Sequence, residues 1–278
     1  MAIDQILKQN INDCLKVIAN EKTSTRGTGK IYRNTNEILA TILQKEDIEG
    51  KDVLSVMASS DQVFSSYYLG AKSVDTFDSN ILTYYYFFLK KWTVLCTKKH
   101  YISANNKDLE KCIDYHNDTK EEIRAYIFWK EVLKQLKDSL YYSELFYKGS
   151  IWWNTPYQND METLCDIIQN IKPNYTNLNI FKPIEIKKQY DVIILSNILE
   201  YLYDEDDFEY YEYSRIVIEN LRKLLKPNGI AISSNILDYD YKGNKLFEQY
   251  FEFQNGKEGL SIRHNCNIPL SYTYKKKQ

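Results

Sequence analysis

Three short polar clusters end apolar runs of this 278-residue chain, and together they could hold one ligand. Ala58-Ser59-Ser60-Asp61-Gln62 follows the run Asp52–Met57, and Asp78-Ser79-Asn80 follows Ser73–Phe77. Ser196-Asn197-Ile198 closes the run Tyr190–Ser196. Small residues at 58–60 would let a nucleoside approach the backbone, since a bulky Cβ substituent would hold it away. Asp78, 20 positions beyond Ala58, can accept both hydroxyls of a ribose. Ser196 and Asn197 would face the reactive end of such a ligand, and the region near Phe181 supplies a fourth strand end.

The missing residues bound this chemistry. The G-x-G-x-x-G fingerprint that brings a pyrophosphate to a helix N-terminus is absent, which counts against NAD and FAD. S-adenosylmethionine has no phosphate and tolerates a less open turn, and Asp61 would suit its ammonium group. Ser60 or Asp61 could equally cap the next helix, Asp-Ser-Asn also suits a turn, and Asn80 could cap the helix after it. The third cluster is not Asn/Asp-Pro-Pro-Tyr, so methylation of a nucleic-acid base amino group is disfavoured.

These clusters need a frame of alternating strands and helices. Apolar spacing predicts a helix over 3–19, a loop over 23–37 and a helix start at Glu37–Leu43. Strand Asp52–Met57, helix Gln62–Leu69 stopped by Gly70, strand Ser73–Phe77 and helix Ile81–Cys96 form a right-handed βαβ start. Residues 100–176 read as a helical insertion, with capping boxes at Thr119-Lys-Glu-Glu122 and Asn159-Asp-Met-Glu162. The alternation resumes with a strand and its exit loop over Asn177–Ile186, then strand Tyr190–Ser196 and helix Phe208–Leu225. Lys226-Pro-Asn-Gly229 stops that helix before strand Ile230–Ser234, and Leu260–His264 with Leu270–Lys275 reads as an antiparallel edge hairpin.

Composition narrows the classes further. A net charge of −2 gives no broad basic surface for duplex nucleic acid. No apolar run is long enough for a signal or a membrane span, and five cysteines without a CxxC fit reduced thiols in the cytoplasm. The 25 tyrosines, against 9 glycines, read as the codon bias of an AT-rich genome.

Taken together, these segments make the chain resemble class I S-adenosylmethionine-dependent methyltransferases. Residues 177–240, with YDVIILSNILEYL and LRKLLKPNGIAISSN, carry the general likeness. IYRNTNE (31–37), VLSVMASSDQVFSSYYLGAKSVDTFDSN (53–80) and SNILEYL (196–202) look like a bacterial family related to S-adenosylmethionine–diacylglycerol 3-amino-3-carboxypropyl transferase. The resemblance implies a Rossmann-like, doubly wound, mostly parallel sheet of seven strands. It also implies an S-adenosylmethionine site at Ala58–Gln62, Asp78–Asn80 and Ser196–Ile198, and transfer of either a methyl or an aminocarboxypropyl group. The departure is Ser59-Ser60-Asp61 where the family has a Ser-Gly-Asp type of loop.

In this reading residues 1–51 supply N-terminal helices and a cofactor-covering loop, and 52–278 form the binding domain with its insertion at 100–176. Tyr32, Asn36, Glu37, Glu200, Trp152 and Trp153 are candidate contacts to a small-molecule or lipid-like acceptor. The insertion's aromatics, among them Phe128, Trp129, Phe146 and Tyr157, serve either a lid or the insertion's own core. The acidic stretch 203–212 reads as a solvated helix start. His100, Cys112 and His116 lack a fourth ligand at zinc spacing, so no metal is expected, and no catalytic base stands out. The competing class is a non-catalytic Rossmann-like interaction module that has lost its cofactor.

Overall fold

The computed structural model describes residues 4–21, 29–35, 37–99, 105–136, 140, 143–146, 154–185, 187–198, 207–234, 247, 249–254, 258–260, 267–269 and 271–277. Its centre is a seven-stranded sheet of order β3-β2-β1-β4-β5-β9-β6. Strands β1 (Asp52–Val56), β2 (Ser73–Asp78), β3 (Asn174–Asn177), β4 (Tyr190–Ser196) and β5 (Leu225–Ser234) run parallel. Strand β9 (Ser271–Lys276) is antiparallel to both β5 and β6 (Phe251–Gln254). This is the mostly parallel α/β sheet with antiparallel C-terminal strands that the sequence implies.

Alternation along the buried strands builds two cores, one on each face. Val53, Val74, Val192 and Ile194 face α1 (Gln5–Ile18), α4 (Asp61–Tyr68), α5 (Leu82–Thr97), α7 (Lys120–Gln135) and α8 (Met161–Ile168). Leu54, Val56, Phe77, Ile193 and Leu195 face α9 (Asp207–Leu224), through its Val217, Ile218, Leu221 and Leu224. Helices on both faces make the sheet doubly wound. The short helices α2 (Leu39–Ile42) and α3 (Lys45–Ile48) lead into β1, and α6 (Asn106–Ile113) joins α7 and α8 in the long connection between β2 and β3. No helix among the described residues is long and apolar enough to cross a membrane.

Five local expectations are corrected. The third strand is Asn174–Asn177, not 177–186: an edge strand with mostly exposed side chains carries no apolar run, while Ile180 and Ile184 pack from the loop after it. Lys226-Pro-Asn-Gly229 lies inside β5, as an irregularity between the pairs Tyr190↔Leu225 and Val192↔Ile230. The edge partner of β9 is Phe251–Gln254. Leu260 instead ends β7 (Glu258–Leu260), which pairs with β8 (Asn267–Pro269) in a separate ribbon; residues 261–266 fall outside the described set. At α7 only half of the capping box forms. Thr119 Oγ accepts from Glu122 N at 3.3 Å, but the Glu122 side chain turns to other partners. The second box shifts by one residue, with Asp160 accepting from Thr163 N.

Candidate functional site

Connections leave β1 and β4 toward opposite faces, so the sheet opens between their carboxyl ends, where ligands of such sheets bind. A cavity of roughly 330 Å³ occupies that point, within the range of about 300–1,000 Å³ usual for small-ligand pockets. Val56, Phe77, Ile180, Phe181 and Ile198 give it apolar walls, and Lys30, Ile31, Tyr32 and Thr35 close one side. The polar lining comes from Ser59, Gln62, Asp78, Ser79, Asn80, Ser196 and Asn197, with the small Ala58 beside them.

Asp78 is the carboxylate of this lining. Its Oδ2 accepts from Ala58 N at 3.0 Å and its Oδ1 from Asn80 N at 2.9 Å. Burial pushes its carboxyl up to about 6, against the pull of the Asn80 and Ala58 N–H groups and of Thr83 and Ser79 beside them. The loop is held from outside by β3: Tyr175 donates to Asp78 O at 2.9 Å, and Asn177 Nδ2 to Ser79 O at 3.2 Å. Asn80 both caps and ties. Its Oδ1 accepts from Leu82 N at the start of α5, and its Nδ2 donates to Lys30 O at 3.1 Å.

The glycine-free turn after β1 takes the conformations a glycine would. Ala58 has φ 38° and Ser60 φ 70°, both in the left-handed region. Ser60 precedes α4 without a side-chain cap, and its hydroxyl is buried with no partner. What fastens the turn is Asp61, 2% exposed. Its Oδ2 accepts from Thr35 N (2.6 Å) and Ser59 Oγ (2.8 Å), and its Oδ1 from Lys90 Nζ (2.7 Å) and Tyr157 OH (2.6 Å). Lys90 also donates to Ser59 O and Arg33 O, so one buried ammonium gathers the turn, the N-terminal segment and α5. Burial pushes the Lys90 ammonium below its usual range, against the pull of Asp61. The Tyr157 phenol is raised well above its ordinary value by burial and then by the Asp61 charge.

A second buried group closes the inner end. Glu37, 3% exposed, accepts from Gln62 Nε2 at 3.0 Å and, on its other oxygen, from the Ser196 hydroxyl. Gln62 is 1% exposed, and its Oε1 has no hydrogen-bond partner. Ser196 itself sits at φ 56°, a sharp exit from β4.

The cavity therefore gathers Ala58, Ser59, Gln62, Asp78, Ser79, Asn80, Ser196, Asn197 and Ile198 from the sequence candidates, with Tyr32 on its rim. Ser60 and Asp61 lie behind the turn. The Asp61 carboxylate is taken up by four protein donors instead of facing a ligand. Glu37 lies one side chain behind the lining. Asn36, Trp152, Trp153 and Glu200 fall outside the described residues. The insertion's aromatics build core: Phe128 stacks on Tyr85 at 3.9 Å, and Trp129 Nε1 donates to Tyr85 O. Sequence reading missed Lys90, Lys30 and the Leu178–Ile180 wall. The signal for Lys90 was present, since two lysines inside the apolar run Leu82–Thr97 each need a buried counter-charge.

The chain matches no protein-family model and no curated protein. Among solved structures it is similar to the ribosomal protein L11 methylase from Lactobacillus delbrueckii subsp. bulgaricus. That alignment has 12% identity and a TM-score of 0.37, over 83% of this chain and 72% of that one. It is also similar to the N-methyltransferase NodS from Bradyrhizobium japonicum WM9 in complex with S-adenosyl-l-homocysteine. Here identity is 9% and the TM-score 0.39, over 98% and 87% of the two chains. At such TM-scores these likenesses carry no weight for the activity, which has to be read from the chain's own cavity.

Proposed function

We propose that this chain is an S-adenosylmethionine-dependent transferase, moving a methyl or 3-amino-3-carboxypropyl group to a small-molecule or lipid-like acceptor. One observation carries the reading: the Asp78 carboxylate lines a cavity at the reversal of strand order. The lining fits the group. Asp78 would accept the ribose hydroxyls, and the small Ala58-Ser59 turn would let the nucleoside close on the backbone. The walls around Phe77 and Ile180 would bury the base. Ser196, Asn197 and Ile198 would border the transfer site, with Tyr32 and the 30–37 segment covering it. Residues 1–51 then act as the cover of a binding domain spanning 52–278.

When bound, the sulfonium supplies an electrophilic carbon and a neutral leaving sulfur, so alignment can provide most of the rate. The apolar walls support an acceptor with hydrocarbon character. Native mass spectrometry of the purified protein tests the reading: mass consistent with S-adenosylmethionine or S-adenosylhomocysteine on the folded chain is expected. A chain that stays unliganded after incubation with millimolar S-adenosylmethionine contradicts it. The co-product then separates the two reactions, S-adenosylhomocysteine for methyl transfer and 5′-methylthioadenosine for aminocarboxypropyl transfer.

A further inference from the structure

Two cysteines meet where the insertion begins. Cys96 lies in the last turn of α5 and Cys112 in the last turn of α6, and the two helices pack against each other. Cys112 is fully buried, and its thiol is in hydrogen-bond contact with the Cys96 sulfur and the Thr93 hydroxyl. Cys96 is partly exposed, and both are free thiols. The other described cysteines sit differently: Cys14 is buried in α1 beside Asp13, and Cys165 donates to Val94 O at 3.6 Å.

A close thiol pair can ligate a metal or undergo oxidation. A metal needs further ligands, and no group of three or more ligating side chains that could hold one occurs among the described residues. For oxidation the pair is divided as it should be. Burial, and then the neighbouring Cys96 sulfur, push the Cys112 thiol up to about 12, so the inner sulfur keeps its proton. The outer sulfur is the one a reagent can reach, and the inner one lies beside it to complete the bond.

We propose that Cys96 and Cys112 form a modification site, a dithiol that a peroxide converts to a disulfide tying α6 to the end of α5. The Cys96 sulfur takes one peroxide oxygen to become a sulfenic acid, and the other oxygen leaves as water. The Cys112 sulfur then bonds to Cys96, and the sulfenic oxygen departs with the Cys112 proton as a second water. Two electrons pass from the thiols to the peroxide. The bond would join the first helix of the insertion to the binding domain. Helix α5 begins beside Asn80 at the cavity and ends at this pair, roughly 24 Å along its axis by the usual rise per residue. The site therefore stands apart from the cavity, whatever occupies it.

Peptide mapping tests the proposal on the reduced full chain after brief hydrogen peroxide treatment and thiol blocking. Trypsin cuts after Lys91, Lys98, Lys111 and Lys120, which places the two cysteines on peptides 92–98 and 112–120. The expected product is those two peptides joined, about 2 Da lighter than their sum and separated again by a reductant. Closing the loop between them should raise the thermal unfolding midpoint by about 5 °C. Cys96→Ser, a change at the partly exposed member, should show neither the link nor the rise. Cys112→Ser should leave Cys96 as the oxidised residue with no link. Survival of both thiols, a Cys96 sulfinic acid beside a free Cys112, or a link from either to another cysteine overturns the proposal. So does a link that forms equally in the urea-unfolded chain. A linked chain whose midpoint does not rise shows that the helices had to shift to form the bond, and overturns it as well.

Discussion

Lys90 and Lys91 are consecutive on α5, and each buries its ammonium against a carboxylate, yet they hold different parts of the molecule. Successive helix positions point about 100° apart, so the pair splits. Lys90 meets Asp61, Ser59 O and Arg33 O under the cavity. Lys91 meets Glu122 at 2.9 Å and Ile171 O, away from it. Glu122 also accepts from Trp92 Nε1 and Asn117 N, which pins the start of α7 to α5 and to the segment entering β3. Each side chain of the two pairs is 3% exposed or less. One chemical device, offset by one residue, thus fastens the binding turn in one direction and the insertion in the other. A buried ion pair adds little net stability over a well-packed apolar core but penalises any arrangement that leaves one partner alone.

The sharpest way to break this comparison is to remove each lysine in turn. Lys90→Met and Lys91→Met should each cost about 3–5 kcal/mol in denaturant unfolding, because each strands a buried carboxylate. In the fraction that stays folded, Lys91→Met keeps its affinity for S-adenosylhomocysteine, whereas Lys90→Met loosens the turn and weakens binding. Equal loss of binding in both variants would show that the insertion and the turn are one unit.

Next in size is Asp78→Asn. Replacing a charged acceptor should weaken S-adenosylhomocysteine by about 10–100-fold, equivalent to roughly 1.5–3 kcal/mol, which isothermal titration would read. The pH dependence has a definite sign. Burial raises this carboxyl from 3.8 to about 6, so the native state holds its proton more tightly than the unfolded chain does. The stability this contributes is whole below about pH 4 and is lost as the pH rises through about 6. Wild type should therefore lose more stability than Asp78→Asn between those values in parallel urea titrations. Ligand affinity should run the other way, rising as the carboxylate ionises.

The smallest effect belongs to Ser60→Gly. Ser60 holds φ 70° with a buried, unpartnered hydroxyl, and glycine relieves both, so thermal unfolding should show a gain of about 1 kcal/mol. A loss would mean that the hydroxyl has a partner in solution.

The strands that position the cavity were legible because buried parallel strands read as apolar runs, and their polar ends mark the site. This is why Asp78 and Ser196-Asn197 could be picked out and do line one cavity. Strand β3 was misplaced because Asn-Tyr-Thr-Asn at an open edge has no apolar signature. Asp61 was legible as important but not in its role. Its partners Thr35, Lys90 and Tyr157 lie 26, 29 and 96 residues away, and local spacing carries no trace of such contacts. Glu122 was read as one half of a cap for the same reason, since Lys91 lies 31 residues before it.

The most direct test of the central claim is calorimetric titration of the folded chain with S-adenosylhomocysteine. Saturable binding at one site per chain, weakened in Asp78→Asn, is the expected result. No heat at millimolar ligand, with the fold verified by circular dichroism, would contradict it and leave the cavity without its proposed occupant.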